Sequence, residues 1–322
     1  MKNVKKVVVA GGGVLGTQIA LQTALSGFEV TMWLRSEGSV GRTKPKIEKY
    51  SQAILRDLAG AKALIGNPMG QFAYPRGLIR DWPHTTAADI DAQLAEIRKR
   101  FENNLHIELD MAKAVKGADM VIESVSEVPD EKVKVYTALR DLMDEDTILC
   151  TNSSTLLPSM FAEITGRPDR YCALHFANNV WKNNTAEIMG HAGTSPETFG
   201  AVVQFAAQIG MVPLPLHKEQ PGYILNTMLV PFLASSEGLL SDGVAEAETI
   251  DLTWKLGTGA ALGPFQILDI VGLETAYNIN RMKPDANQEG TRTYKIGKML
   301  KEKIDKGETG INAGKGFYDY KK

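Results

Sequence analysis

This sequence predicts a doubly wound α/β domain carrying a helical insertion, followed by an all-α domain, and three observations predict it. The first is an apolar run, Val7-Val8-Val9-Ala10, that leads directly into Gly11-Gly12-Gly13-Val14-Leu15-Gly16 and then into a helical stretch ending near Ser26-Gly27. The second is the alternation of short apolar strand patterns with amphipathic helical ones through the first two-thirds of the chain. The third is a change of rhythm at Glu219-Gln220-Pro221-Gly222, beyond which helical patterns recur from Tyr223 to Lys303. The expected division is therefore 1–219 and 220–322.

Each element has its own justification. Gly11 permits a tight turn after the first strand, Gly13 puts no side chain in front of a pyrophosphate, and Gly16 lets the helix pack on the strand. The helix-start amides of Val14, Leu15 and Gly16 then face the phosphates. With a second strand at Glu29 to Trp33, this motif predicts a nicotinamide or flavin dinucleotide site. A helical insertion at about 37–104 follows, with amphipathic patterns over Lys44 to Leu64 and Ala87 to Asn103 separated by the turn-rich segment Gly66 to Gly77. Three readings stay open for it: a cap over the substrate cleft, a subunit contact, or a solvent-facing hairpin. After Leu105 to Glu108, strand patterns recur at Ala118 to Glu123, Thr147 to Cys150, Tyr171 to Phe176 and Ala186 to Met189, with helices at Asp130 to Met143 and Pro196 to Gln208. These read as a mostly parallel sheet.

Composition narrows the function. The 322 residues are 43% hydrophobic with a net charge of −2, ample for a core and without the footprint of a nucleic-acid partner or a basic membrane-binding face. Cys150 and Cys172 both lie in apolar strands and read as reduced core thiols of a cytoplasmic protein. No metal site is expected. No run of about 18 apolar residues occurs, so neither secretion nor a membrane span is expected.

The chemistry concentrates late in the first domain. Thr151-Asn152-Ser153-Ser154-Thr155 follows a strand whose carboxyl end opens toward the cleft, and His175 and Glu187 lie in later strands. Removing a hydride from a secondary alcohol leaves a proton to be taken up, which suits a histidine oriented by a carboxylate. His175 and Glu187 form the natural pair, whereas His84, His106, His191 and His217 have no equivalent setting. Taken singly, any of these histidines also reads as a structural hydrogen-bonding residue, and the hydroxyl cluster as a strand-to-helix cap.

Ser154, His175 and Glu187, followed by Pro221-Gly222-Tyr223-Ile224-Leu225-Asn226, resemble the catalytic serine, histidine, glutamate and asparagine of the 3-hydroxyacyl-CoA dehydrogenase family. Gly263 to Leu273 is similar to that family's C-terminal signature, and Gly314-Lys315-Gly316-Phe317-Tyr318-Asp319-Tyr320 to its final motif. The resemblance runs from residue 4 to 320, with the insertion as the long stretch that fits poorly. It implies that His175 is the general base in oxidation and the general acid in reduction, that Glu187 holds its tautomer, and that Ser154 and Asn226 bind the reacting oxygen and the neighbouring carbonyl. It also implies nucleotide-side positions for Glu123, Lys132 and Asn152, and a homodimer formed through the helical domain, with the apolar helix Ile224 to Leu233.

Two departures qualify the resemblance. Where the family has Asn-Pro and apolar residues, this chain reads Ala177-Asn178-Asn179-Val180-Trp181-Lys182-Asn183-Asn184, a wall similar to the diketoreductase branch. So polar a wall implies a short or oxygenated substrate. The second departure is at the end of the second strand, where NAD-preferring members carry an aspartate and this chain has Leu34, then Arg35 and Ser36. Without that carboxylate, Arg35 can pair with a 2′-phosphate and Ser36 can donate to it, a pattern similar to NADP-using β-hydroxyacid dehydrogenases. NADP(H) is favoured over NAD(H), although Arg35 also reads as an adenine-stacking or solvent-facing residue, with Glu37 near the ribose.

Together these readings predict an oxidoreductase interconverting a 3-hydroxy and a 3-oxo group on a small-molecule substrate, a short acyl-CoA or a small keto ester or acid. A dehydrogenase of free polar hydroxy acids, such as a sugar acid or carnitine-like compound, stays open. So does a catalytically silent, crystallin-type nucleotide-binding protein, against which the intact Ser154, His175, Glu187 and Asn226 argue.

Overall fold

The computed structural model describes residues 3–321. The chain divides into two compact units, Met1–Tyr223 and Ile224–Lys322.

The first unit opens with β1 (Lys6–Ala10), α1 (Val14–Leu25) and β2 (Glu29–Trp33). The insertion then contributes α2 (Glu37–Gly60), the single turn α3 (Gly70–Ala73) and α4 (Ala87–Asn104). It continues with β3 (Leu105–Glu108), α5 (Met111–Val115), β4 (Met120–Glu123), α6 (Pro129–Arg140), β5 (Ile148–Thr151) and β6 (Tyr171–Phe176). It closes with β7 (Thr185–Met189), α7 (Pro196–Gln208) and β8 (Val212–Leu216). All eight strands form one sheet in the order β3-β2-β1-β4-β5-β6-β7-β8.

Both faces of the central strands are buried, which explains strands that read as continuous apolar runs. Along β1, Val7 and Val9 join one core with Val30, Ile122 and Leu174, while Val8 and Ala10 join the other with Val121, Leu149 and Tyr171. Pairing is parallel except between β6 and β7, which are antiparallel. That reversal is local, and it decides the geometry of the site.

The insertion differs from expectation in two ways. Its first helix starts at Glu37 rather than Lys44, because Ser36 caps it by accepting the Ser39 amide and Pro45 is tolerated within the helix. Gly41, whose carbonyl loses its helical donor to Pro45, is exposed to water. Nor is the insertion a solvent-facing hairpin. Ile54, Leu58, Ile90, Leu94 and Ile97 pack with Leu21 and Leu25 of α1 and with Trp181.

The second unit is helical: α8 (Leu225–Ser241), α9 (Ala247–Thr258), α10 (Pro264–Val271), α11 (Leu273–Arg281) and α12 (Arg292–Asp305). Leu233, Phe265, Leu268, Leu273, Ile296 and Leu300 form its core. Two buried carboxylates lock its ends together. Asp251 accepts the amides of Phe265 and Gln266 and the Tyr318 hydroxyl, while Asp269 accepts the amides of Phe317 and Tyr318 and the Tyr320 hydroxyl. A Cβ at Gly316 would stand 1.9 Å from Asp269 Oδ1, so the closing glycine is required by this contact. No helix among the described residues is long and apolar enough to cross a membrane.

Candidate active site

The glycine turn after β1 behaves as three different glycines. Gly11 has φ +123°, and a Cβ there would sit 2.3 Å from the Ser124 carbonyl oxygen; one at Gly16 would sit 2.3 Å from the Gly11 carbonyl oxygen. These two are demanded by the scaffold. A Cβ at Gly13 meets nothing within 4 Å, so that glycine faces open space. Helix α1 has neither a side-chain cap nor an acidic residue in its first turn, leaving the amides of Val14, Leu15 and Gly16 available to an anion.

The space in front of the turn is a cleft of about 390 Å³ lined by Gly11, Gly12, Gly13, Leu34, Arg35, Ser39, Arg42, Lys46 and Ser124 among others. Leu34 is 2% exposed and presents no acceptor. Arg35 lies along the rim, mostly exposed, 3.7 Å from Glu131. Ser36, expected beside the phosphate, instead turns its hydroxyl to the α2 cap and to Ser39 Oγ at 3.2 Å. The cleft receives Ser39 and Arg42 in its place, with Arg42 donating to Ser39 Oγ at 3.1 Å and Lys46 Nζ donating to the Arg42 carbonyl at 2.8 Å. Placing the helix start at Lys44 left Arg42 outside the helix and so hid its pairing with Lys46. The signal was their four-residue spacing, which puts them on one face once the helix begins at Ser36.

Glu123 and Lys132 are brought together, but fully buried. The carboxylate receives Lys132 Nζ at 2.7 and 2.9 Å, the Tyr136 hydroxyl at 2.5 Å, the Thr151 hydroxyl at 2.8 Å and the Val125 amide at 2.8 Å. Such saturation makes the pair a brace between β4, β5 and α6 rather than an open nucleotide contact. Asn152 accepts the Phe176 amide at 3.2 Å and so ties β5 to β6. Sequence reasoning missed Glu127, whose Oε1 accepts the Ser154 and Thr155 amides at 3.0 and 2.9 Å and the hydroxyls of Ser153 and Thr155. Burial opposes its charge, but the Ser153 hydroxyl and the Lys132 cation outweigh it and hold the carboxyl below its usual range. The turn carrying Ser154 is therefore wrapped around one anion.

The antiparallel register sets His175 directly opposite Glu187, where side chains on the same face meet. His175 Nδ1 is 3.0 Å from Glu187 Oε2, and Nε2 is 3.3 Å from Ser154 Oγ. His175 is 4% exposed and Glu187 3%. A second residue missed from the sequence is Tyr223, whose ring lies over the imidazole at 4.3 Å and 11° and whose hydroxyl donates to the Ser153 carbonyl at 2.8 Å. It takes φ +54°, next to Gly222 at +79°. A bulky residue in this region costs about 1–3 kcal/mol and persists only where its surroundings enforce it. Asn226 lies in the first turn of α8, in the second unit.

The expected polar wall is mostly occupied. Asn178 Oδ1 accepts from Gln18, Asn183 donates to the Asn178 carbonyl, and Asn184 donates to the Gly210 carbonyl. Trp181 Nε1 donates to Asp57 at 2.7 Å, and Lys182 pairs with the same carboxylate at 3.0 Å. These groups shape the segment between β6 and β7, so they are poor evidence for a polar substrate pocket. Of the other histidines, His84 pairs with Asp81 and His191 contacts the Pro168 carbonyl.

A glycine turn with open space at Gly13, at the carboxyl edge of a doubly wound sheet, defines a Rossmann-type dinucleotide-binding protein. The model of the 3-hydroxyacyl-CoA dehydrogenase NAD-binding domain matches residues 83–220, and that of the C-terminal domain of the same enzymes matches 222–320. Human mitochondrial hydroxyacyl-coenzyme A dehydrogenase is 31% identical, with 99% of this chain and 92% of that protein covered. The 3-hydroxybutyryl-CoA dehydrogenase of Clostridioides difficile is 28% identical over 98% of this chain and 100% of its own. A diketoreductase structure superposes with a TM-score of 0.79 at 42% identity, covering 99% of this chain and 100% of that one. The chain belongs to the 3-hydroxyacyl-CoA dehydrogenase family, on its diketoreductase-like side.

Proposed function

We propose that the protein interconverts a 3-hydroxyl and a 3-oxo group on a short acyl thioester or a small dicarbonyl compound, with NADP(H) as its preferred cofactor. One observation carries this reading: both nitrogens of a buried imidazole are engaged, Nδ1 by Glu187 and Nε2 by Ser154. A bound nicotinamide would supply the hydride acceptor or donor. A carboxylate at Nδ1 accepts only, so it selects the tautomer with its proton there and leaves Nε2 as the base. In oxidation Nε2 takes the hydroxyl proton of the substrate, and Glu187 stabilises the imidazolium that results. In reduction the same proton returns to the oxygen. Ser154 orients the reacting oxygen, and Asn226 is assigned to the neighbouring carbonyl.

The cofactor residues fit a phosphorylated dinucleotide. Gly13 leaves room for the pyrophosphate, and Arg35, Ser39 and Arg42 would hold the 2′-phosphate where Leu34 offers no carboxylate to repel it. The diketoreductase likeness supports a dicarbonyl substrate and the dehydrogenase relatives support a thioester. The internal partners of Asn178, Asn183 and Asn184 weigh against a free polar hydroxy acid. Exposed Met228, Leu256 and Met282 on the helical unit support self-association there. The test is a steady-state assay with acetoacetyl-CoA, a free 3-oxo acid and a 3,5-diketo ester, each with NADH and NADPH. Turnover of none of them, or a preference for NADH, would overturn the corresponding half of the proposal.

A further inference from the structure

We infer that Tyr223 is a positioning residue for His175: its ring fixes the plane of the imidazole and favours the protonated form by offering it an electron-rich face. The inference rests on the acid–base assignment of His175 made above. Its geometric basis is the near-parallel stack, 4.3 Å between centroids and 11° between planes, with Tyr223 only 1% exposed. An imidazole so placed is held in one plane, and once it takes a proton it becomes a cation over the negative face of an aromatic ring.

The other charged and titratable groups nearby act from different directions. Glu187 on β7 bonds Nδ1 in the plane of the ring. Cys172 lies on β6 itself, Glu123 at the end of β4, and Glu127 just beyond it. Glu123 is already neutralised by Lys132, and Glu127 is turned to the Ser153–Thr155 amides and hydroxyls. Tyr223 therefore supplies stabilisation perpendicular to that of Glu187, on the same imidazolium.

The hydroxyl does separate work. It donates to the Ser153 carbonyl at 2.8 Å, one residue from the serine whose Oγ stands 3.3 Å from Nε2. Burial pushes the phenol far above its usual range, with the Glu127 charge adding to it, so the donor persists across the working pH. One side chain thereby registers the imidazole plane against the serine turn. Two successive left-handed residues, Gly222 and Tyr223, bring it there.

The test uses the full-length protein, reducing acetoacetyl-CoA and the 3,5-diketo ester across pH, with the histidine signals followed in parallel by NMR titration. His175→Gln identifies its own signal, and retained turnover in that variant would sink the acid–base assignment independently of Tyr223. Tyr223→Phe keeps the ring, so the alkaline limb of kcat/KM should not move even where loss of the bond to the Ser153 carbonyl lowers kcat. Pentafluorophenylalanine in place of Tyr223 reverses the polarity of the face with little change of shape. The limb and the His175 titration should then fall by about 0.4–1.5 pH units, and kcat measured on the alkaline side of the limb by about 2- to 30-fold, with KM little changed. An unmoved limb with the fluorinated ring overturns the inference. A Tyr223→Phe limb displaced as far as the fluorinated one does so too, because the hydroxyl would then be the operative group.

Discussion

Glu187→Gln isolates the charge of the carboxylate from its shape. The pair is 3.0 Å apart with both side chains about 95% buried, so solvent screens it little. A hydrogen bond to a charged partner contributes roughly 1.5–3 kcal/mol, and here that contribution exists in full only when the imidazole carries its second proton. At 1.36 kcal/mol per decade, its loss lowers kcat for oxidation, the direction that forms the imidazolium, by roughly 10- to 150-fold. Glutamine adds a second penalty, since its amide can donate to Nδ1 and so select the tautomer with Nε2 already protonated, which disables the base. The expected fall is therefore about a hundredfold or more, with nucleotide affinity unchanged. Stopped-flow absorbance of the reduced nicotinamide under single turnover reads the chemical step directly. A Glu187→Gln enzyme within about threefold of wild type in that step would refute the assignment, because general acid–base catalysis alone supplies roughly 10²–10⁴.

The remaining predictions concern cofactor and stability. Arg42→Ala should weaken NADPH by about 1.5–3 kcal/mol and leave NADH nearly untouched, with Arg35→Ala at the lower end because that side chain is mostly exposed and shared with Glu131; calorimetric titration of both nucleotides decides it, and equal losses would exclude a 2′-phosphate role. Gly13→Ala should melt within about 0.5 kcal/mol of wild type yet lose nucleotide affinity, whereas Gly11→Ala, forced to φ +123° against the Ser124 carbonyl, should lose at least about 2 kcal/mol of stability. Burial raises the Glu237 carboxyl from 4.5 to about 7, and its Oε1 has no hydrogen-bond partner among the described residues. The folded state thus binds the extra proton between those values, so this group penalises folding progressively as pH rises from about 4.5 through 7. Glu237→Gln should match wild type in urea melts near pH 4.5 and gain up to roughly 3 kcal/mol at pH 8; a gain independent of pH would be contrary to it.

What was legible in the sequence is what local pattern controls. The β1 valines and the Gly11-Gly12-Gly13 turn announced the dinucleotide fold, because strand period and glycine conformation are local properties. His175 and Glu187 were legible from their strands and their chemistry and again through resemblance, but not the reason they meet, which is the reversal of one strand pair. The polar wall pointed to the diketoreductase side of the family, but composition does not report that Asn178, Asn183 and Asn184 have partners inside the protein. Glu127 was passed over for Glu123, four residues away, since only the fold shows which carboxylate reaches the serine turn and which is sealed behind it. Amphipathic periodicity was read only from Lys44 onward, so the cap at Ser36 was missed, and with it the place of Arg42 on the first helix of the insertion.

The insertion ends up mechanically joined to the chemistry through Asp57. Its carboxylate grips Trp181 and Lys182, inside the short connection whose two ends carry His175 and Glu187. Positions 57, 181 and 182 are therefore physically coupled: trimming or reshaping the first insertion helix removes the anchor of that connection. A chimera that exchanges the insertion alone would keep Ser154, His175 and Glu187 and should still disturb the pair that moves the proton.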